Sequence, residues 1–181
     1  MKFKLTGIFL AASILVFAIG DEMDSTALRT EYYYCVSNPT KTDVLYNRLL
    51  LMNSDKAIIT GYIGALEALK AKHAWNPYAK LDYLDKAEVT FAKAIASDPQ
   101  NIEIRFLRYT VEYYVPAFLG YGDHIAEDKR VIIQNIKACK YSKNDKFLIG
   151  HIIHFFEEKK ECTAADLTLM YLALKQCTPT Y

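Results

Sequence analysis

With 181 residues, 22 basic against 21 acidic side chains and 52% hydrophobic composition, the chain has a formal net charge of +1. That balance excludes the strongly basic footprint of a nucleic-acid-binding domain and implies no attraction to an anionic membrane surface. The length suits one domain with a sizeable core, and no Pro/Gly/Ser-rich or single-charge stretch divides it.

Residues 1–20 read as an export signal. Lys2 and Lys4 supply a basic tip, an apolar run starts at Leu5, and Ala18-Ile19-Gly20 offers a small-x-small exit with cleavage expected after Gly20. The competing reading is a retained membrane anchor, but the run from Leu5 to Gly20 has 16 residues, whereas a spanning helix needs about 20. A lipid-bearing cysteine would directly follow the run, and the first cysteine is Cys35. The expected product is periplasmic or secreted, without a stable membrane span once cleaved. Loss of Lys2 and Lys4 leaves 20 basic against 21 acidic side chains, a net charge of −1.

Residues 21–181 are expected to form a single all-helical domain. Apolar residues recur at three and four spacing, and no alternating stretch bounded by turn residues interrupts them. The predicted helices cover 24–37, 41–52, 55–73, 78–97, 102–115, 124–139, 143–158 and 164–177. Thr40, Ser142 and Thr163 each precede a carboxylate by three residues and are read as N-caps, with Ser54-Asp55 and Asp123 as plainer caps. Pro39, Pro77, Pro99, Pro116 and Pro179 all fall near predicted boundaries. Short loops between eight helices favour antiparallel neighbours.

The fourth helix carries the pattern Ala87-x3-Phe91-x2-Ala94-x4-Pro99. It resembles the second helix of a tetratricopeptide repeat, in which small alanines admit a partner helix, an aromatic fills the gap and proline stops the helix. Ile63-Gly64 stands as the small-residue crossing on the first helix. Gly64 and Ala87 are 23 positions apart, where the family places about 12, so roughly three helical turns must be accommodated through Lys72 to Pro77. Tyr109 falls where the next unit would have a small residue. The resemblance implies antiparallel helix pairs stacked in a short right-handed array, against a plain bundle with one repeat-like turn. The block 76–129 is otherwise similar in style to exported bacterial proteins.

No HExxH, nucleophile elbow, phosphate loop or glycine-rich nucleotide turn occurs. Arg105 and Arg108 stand one turn apart and could grip a carboxylate or phosphate with Tyr109 and Tyr113 nearby; the competing reading is an ion-pair row from Arg108 to Glu112. His151-x-x-His154 places two imidazoles near one helix face. If the sixth and seventh helices form a hairpin, His124, Glu127, Asp128 and Glu158 approach His154, a donor set suited to zinc or a di-metal site. Otherwise His151 is a packed core residue beside Phe147, Leu148, Ile152 and Phe155. The 14 tyrosines suit either an aromatic groove for a small ligand or glycan, or packing between helices.

Export makes disulfides relevant to the four cysteines. Cys162 and Cys177 lie at opposite ends of one predicted helix, about 22 Å apart, beyond bridging range. In an up-down arrangement the sixth and eighth helices run parallel, which brings Cys139 and Cys177 to one level. That is the expected bridge, against four buried thiols, with Cys35 and Cys162 unassigned. Three functions follow as expectations: binding of an envelope protein or peptide without a cofactor, a metal-dependent role at His124, His151, His154 and Glu158, or ligand binding in a tyrosine-rich groove.

Overall fold

The computed structural model describes residues 24–177, so the expected signal at 1–20 and Pro179 lie outside the described residues. The described residues form eight α-helices: α1 (Ser25–Cys35), α2 (Pro39–Leu51), α3 (Ala57–His73), α4 (Pro77–Ser97), α5 (Ile102–Tyr114), α6 (Ile125–Lys137), α7 (Lys146–Glu158) and α8 (Ala164–Gln176). Single 3₁₀ turns, Ala117–Leu119 and Lys143–Asp145, precede α6 and α7. The architecture is all-α, as the periodicity predicts.

The helix starts follow capping chemistry, though not always at the predicted residue. Asn38, not Thr40, caps α2: its side chain accepts the Lys41 N–H at 3.0 Å while Pro39 occupies a first-turn position that needs no donor. Asn76 and Asn101 act alike ahead of α4 and α5. Thr163 accepts the Asp166 N–H at 3.1 Å, and Ser142 and Asp145 form a reciprocal capping box ahead of α7. Ser54 accepts from Lys56 in the turn before α3, whose own start has no side-chain cap. Asp123 does not cap α6. The start of α6 has no side-chain cap, and the N–H of His124, at the cap position, donates to Glu112 of α5 at 3.0 Å.

Packing centres on α3. Gly61 and Gly64 lie one turn apart on it and open toward different neighbours. A Cβ at Gly61 would stand 3.1 Å from Ile104 of α5, and one at Gly64 would stand 3.3 Å from the Phe91 ring of α4 and 3.4 Å from the Ala87 carbonyl oxygen. The small-residue crossing expected at Gly64 is therefore a close approach of α3 to the Ala87–Phe91 face of α4. The extra length between Gly64 and Ala87 is taken up as helix on both sides of the short turn at 74–76.

One apolar cluster, including Leu45, Leu49, Tyr62, Leu66 and Phe91, is built mainly by α1 to α4 and also takes Leu107 of α5. The other gathers Ile132, Ile136, Ile149, Ile152, Ile153, Phe156 and Met170 from α6 to α8, together with Ile102 and Tyr109 of α5. Helix α5 thus contributes to both.

Three links between α6 and the α8 segment rise together in both: Lys129 to Glu161, Lys137 to Asp166 and Cys139 to Cys177. Their order makes the two segments run in the same direction. Cys139 and Cys177 are disulfide-bonded, with Cα atoms 5.8 Å apart and a sequence separation of 38. Closing a loop of that size restricts the unfolded chain by about 4 kcal/mol. Cys139 adopts a left-handed φ of 56° just past the end of α6.

The glycine contacts give contrasting expectations. Gly64→Val should lower unfolding stability by about 1–3 kcal/mol through overpacking against Phe91. Gly150→Ala should raise it by about 0.5–1 kcal/mol, because its Cβ would meet only Leu174, at 3.8 Å. Denaturant titrations of both variants measure the two signs.

Candidate functional site

The two arginines singled out for ligand contact on α5 face α6 instead. Asp128, on the apolar stripe of α6 with Val131, Ile132 and Asn135, has no exposed side-chain surface. Arg108 binds it through two hydrogen bonds, Nε to Oδ2 at 2.7 Å and Nη2 to Oδ1 at 2.8 Å. Arg105 donates to Asp128 Oδ1 at 2.7 Å, to Glu127 at 2.9 Å and to the Pro99 carbonyl at 3.0 Å. Burial opposes the charge on Arg105, but the bonds to Asp128 and Glu127 outweigh it and raise its pKa.

This corrects two readings. Arg108 pairs with Asp128 rather than Glu112, and the two guanidiniums are buried against a carboxylate of the same chain rather than presented to an external one. Glu112 is taken by His124, whose Nδ1 lies 2.7 Å from Glu112 Oε1. The space beside these groups, bounded by Phe91, Arg108, Glu112, Tyr121 and His124, amounts to about 20 Å³, room for about one water.

A second buried ion cluster ties α1 to the rest. Glu103 of α5 accepts from Arg29 Nε at 2.8 Å and Nη2 at 2.7 Å, and from the Tyr62 hydroxyl at 2.6 Å. Arg29 also donates to Asp145 at 2.6 Å. The hydrogen bond to Glu103 is the main cause raising the Arg29 pKa, while burial and then the Glu103 charge push the Tyr62 phenol up.

The predicted tyrosines divide. Tyr109 is fully buried, stacked on Tyr113 at 6.0 Å and edge-on to Phe156 at 5.3 Å, so it is core rather than binding surface. Tyr113 is half-buried beside Phe155, and its neighbour Tyr114 is 64% exposed. An enclosed aromatic groove is absent from the two main clefts. Besides the small one there is an open depression of about 420 Å³ beside the disulfide, lined by Leu169, Leu172 and Ala173 without an aromatic residue.

The metal reading is also corrected. Among the described residues no three His, Cys, Asp or Glu side chains gather in a metal-holding group. His151 and His154 are exposed on α7, and His151 meets the exposed Phe147 edge-on at 4.6 Å instead of packing in the core. Glu158 pairs with Lys159, and His124 pairs with Glu112 across the α5–α6 seam. The expected α6–α7 hairpin does not form the main contact of α6, which packs on α5 and α8. Of the unbridged thiols, Cys35 is buried and Cys162 half-buried; burial, the largest cause in each, raises both, Cys162 to about 11. Neither is a ready nucleophile near neutral pH.

Asp128, which helix spacing alone places near a metal donor set, is instead the shared partner of two arginines. The usable signal was its register: Asp128, Val131, Ile132 and Asn135 recur at three and four spacing, which puts the carboxylate on the buried stripe.

No protein-family model matches the chain, and neither the curated proteins nor the solved structures compared with it give a match.

Removing Asp128 leaves two buried cations unpaired. Asp128→Ala is expected to cost about 3–5 kcal/mol, while the triple change Arg105→Met, Arg108→Met, Asp128→Leu recovers most of that loss; chemical denaturation compares the two.

Acid should weaken the fold through the carboxylates held below their ordinary value. Hydrogen bonds from Arg105, chiefly, lower Glu127, and one from Lys129 chiefly lowers Glu161 from 4.5. Their stabilisation is complete above that value and is lost as pH falls through their lower folded values. The denaturation midpoint should therefore decline on acidification below about pH 4.5, and Lys129→Met should reduce the slope.

Proposed function

We propose that the chain is an exported, non-catalytic helical scaffold that acts by binding a protein or peptide in the cell envelope. The observation that carries this reading is the disposition of its charged groups. Glu103, Arg105, Arg108 and Asp128 are buried and bonded to each other or to neighbouring side chains, within helix–helix seams. In an enzyme of this size such groups would be expected to converge on a cleft open to substrate. Here the cleft beside them has room for about one water.

Among the groups the helices present outward are large aromatic side chains. Tyr114 at the end of α5 is 64% exposed and Phe118, in the turn that follows, is 85% exposed. Tyr113 lies beside Tyr114, with ring centroids 5.1 Å apart. This is the part of the predicted binding surface that remains accessible, and exposed aromatic side chains are the usual anchors of protein recognition. The basic tip and apolar run of residues 1–20 support export. The α3–α4 crossing at Gly64, Ala87 and Phe91 supports a kinship in packing with tetratricopeptide arrays.

The reading is tested by photo-crosslinking in cells, with the reactive residue placed at Tyr114, at Phe118 or, as a control, at the exposed Val89 of α4. A discrete partner captured at Tyr114 and Phe118 but not at Val89 is expected. Capture of nothing at the first two sites, with the chain folded and exported, sinks the proposal.

A further inference from the structure

We propose that the end of the molecule formed by the α1–α2 and α3–α4 turns docks onto an anionic phospholipid surface. Four exposed aromatic side chains stand there. Trp75, in the α3–α4 turn, is 92% exposed and Tyr78, in the first turn of α4, 84%. Tyr33 and Tyr34 in the last turn of α1 are 73% and 52% exposed.

The two turns are joined into one surface. Lys72 donates to the Val36 carbonyl at 2.7 Å, and His73 Nε2 lies 3.1 Å from the Cys35 carbonyl. The end of α3 therefore holds the α1–α2 turn, and Trp75 follows two residues later. Neither principal cleft includes these aromatics. They project from turns rather than line a concavity, an arrangement poorly suited to enclosing a peptide or a small ligand.

Charge selects the partner. Although the whole chain is nearly balanced, residues 32–42 and 68–81 contain Lys41, Lys70, Lys72, Lys80 and His73. Of the acids that flank them, Glu31, Asp43 and Asp82 are paired with Arg48, Lys70 and Lys86, and Glu67 is buried. Lys70 is matched by Asp43. The other three lysines make no ion pair among the described residues: Lys41 lies 4.5 Å over the Tyr34 ring, Lys72 sits on the Val36 carbonyl, and Lys80 is within 3.4 Å of the Ala71 and Lys72 carbonyls. Tryptophan and tyrosine favour the headgroup level of a bilayer, where the ring is embedded and its polar tip remains hydrated. The lysines around them, neutralised by no carboxylate, attract lipid phosphates, each contributing about a fivefold gain in affinity for an anionic leaflet. Among the described residues no helix is long and apolar enough to cross a membrane, so the contact is one of lying on the surface.

This surface shares no residue with the one proposed at Tyr114 and Phe118, and it depends neither on export nor on a protein partner. Trp75 is the chain's only tryptophan, so its fluorescence reports on this end alone, whatever residues 1–20 do. Full-length protein is titrated with vesicles of phosphatidylglycerol or of phosphatidylcholine. Phosphatidylglycerol should shift Trp75 emission to shorter wavelength and allow quenching by brominated acyl chains, and phosphatidylcholine should do neither. Salt at about 1 M, where the screening length is about 3 Å, should reverse the shift. Lys41→Gln with Lys72→Gln should weaken the titration by roughly 30-fold, with circular dichroism confirming the fold, and the salt reversal needs no substitution. Unchanged Trp75 emission overturns the proposal even if the protein sediments with vesicles. An equal response to both lipids overturns it too, as does a response to a lipid-free envelope protein fraction without a response to vesicles.

Discussion

The α5–α6 seam depends on one buried carboxylate. Asp128 has no exposed side-chain surface, and two arginines from α5 converge on it. A lone charge there would cost several kcal/mol in lost hydration, so the three groups are tolerable only together and in one geometry. Geometry matters more than attraction in such a cluster, because each guanidinium has directional donors. Asp128 meets Arg108 through both oxygens and shares one of them with Arg105. That requirement fixes the rotation of α6 about its own axis and its level along α5. Once α6 is set, Asn135 reaches the Gln100 carbonyl at 2.9 Å, and Cys139 is carried to the level of Cys177.

A steric constraint plays the matching part on the other side. Gly61 and Gly64 make α3 thin along two directions, so α5 and α4 approach it at Ile104 and Phe91. Close packing there excludes water and leaves little freedom in the spacing of the helices. Helix α5 stands between the two devices, giving Ile104 to α3 and its arginines to α6. Its Glu103 reaches Tyr62 of α3 and Arg29 of α1. Most of its polar side chains are therefore internal. This explains why a helix that reads as a ligand-gripping surface is in fact the connector between two apolar clusters.

Beside its exposed charges, the outer surface carries aromatics at the helix ends and, around Trp75, lysines that form no ion pair among the described residues. The net charge conceals that arrangement. A total near zero is compatible with a locally basic end when the compensating carboxylates are elsewhere in the fold. Charge balance over a whole chain is a statement about solubility and long-range attraction, and it says little about a patch smaller than the molecule.

Local signals in the chain determined a good deal. Apolar periodicity and turn residues specify eight helices, since helix formation and capping depend on residues within a few positions of each other. The small face at Gly64 and Ala87 was legible for the same reason, as was the level of Cys139 against Cys177 once the helices were taken to alternate in direction. Capping by Asn38 was open to sequence reading as well, because Asn38-Pro39 is a strong start signal that outcompetes Thr40. Side-chain partners were not legible. Arg108 has Glu112 one turn away, yet binds Asp128, 20 positions on, because the tertiary fold buries both groups and a bidentate pair in a dry seam outweighs a solvated pair along one helix. Tyr109 and Tyr113 share one helix and stack, but only the packing of α7 and α8 decides that the first is core and the second is half-exposed. Helix positions follow from short-range chemistry in the chain; which charges meet and which rings face water depend on the rotation and level of whole helices, set only when they pack.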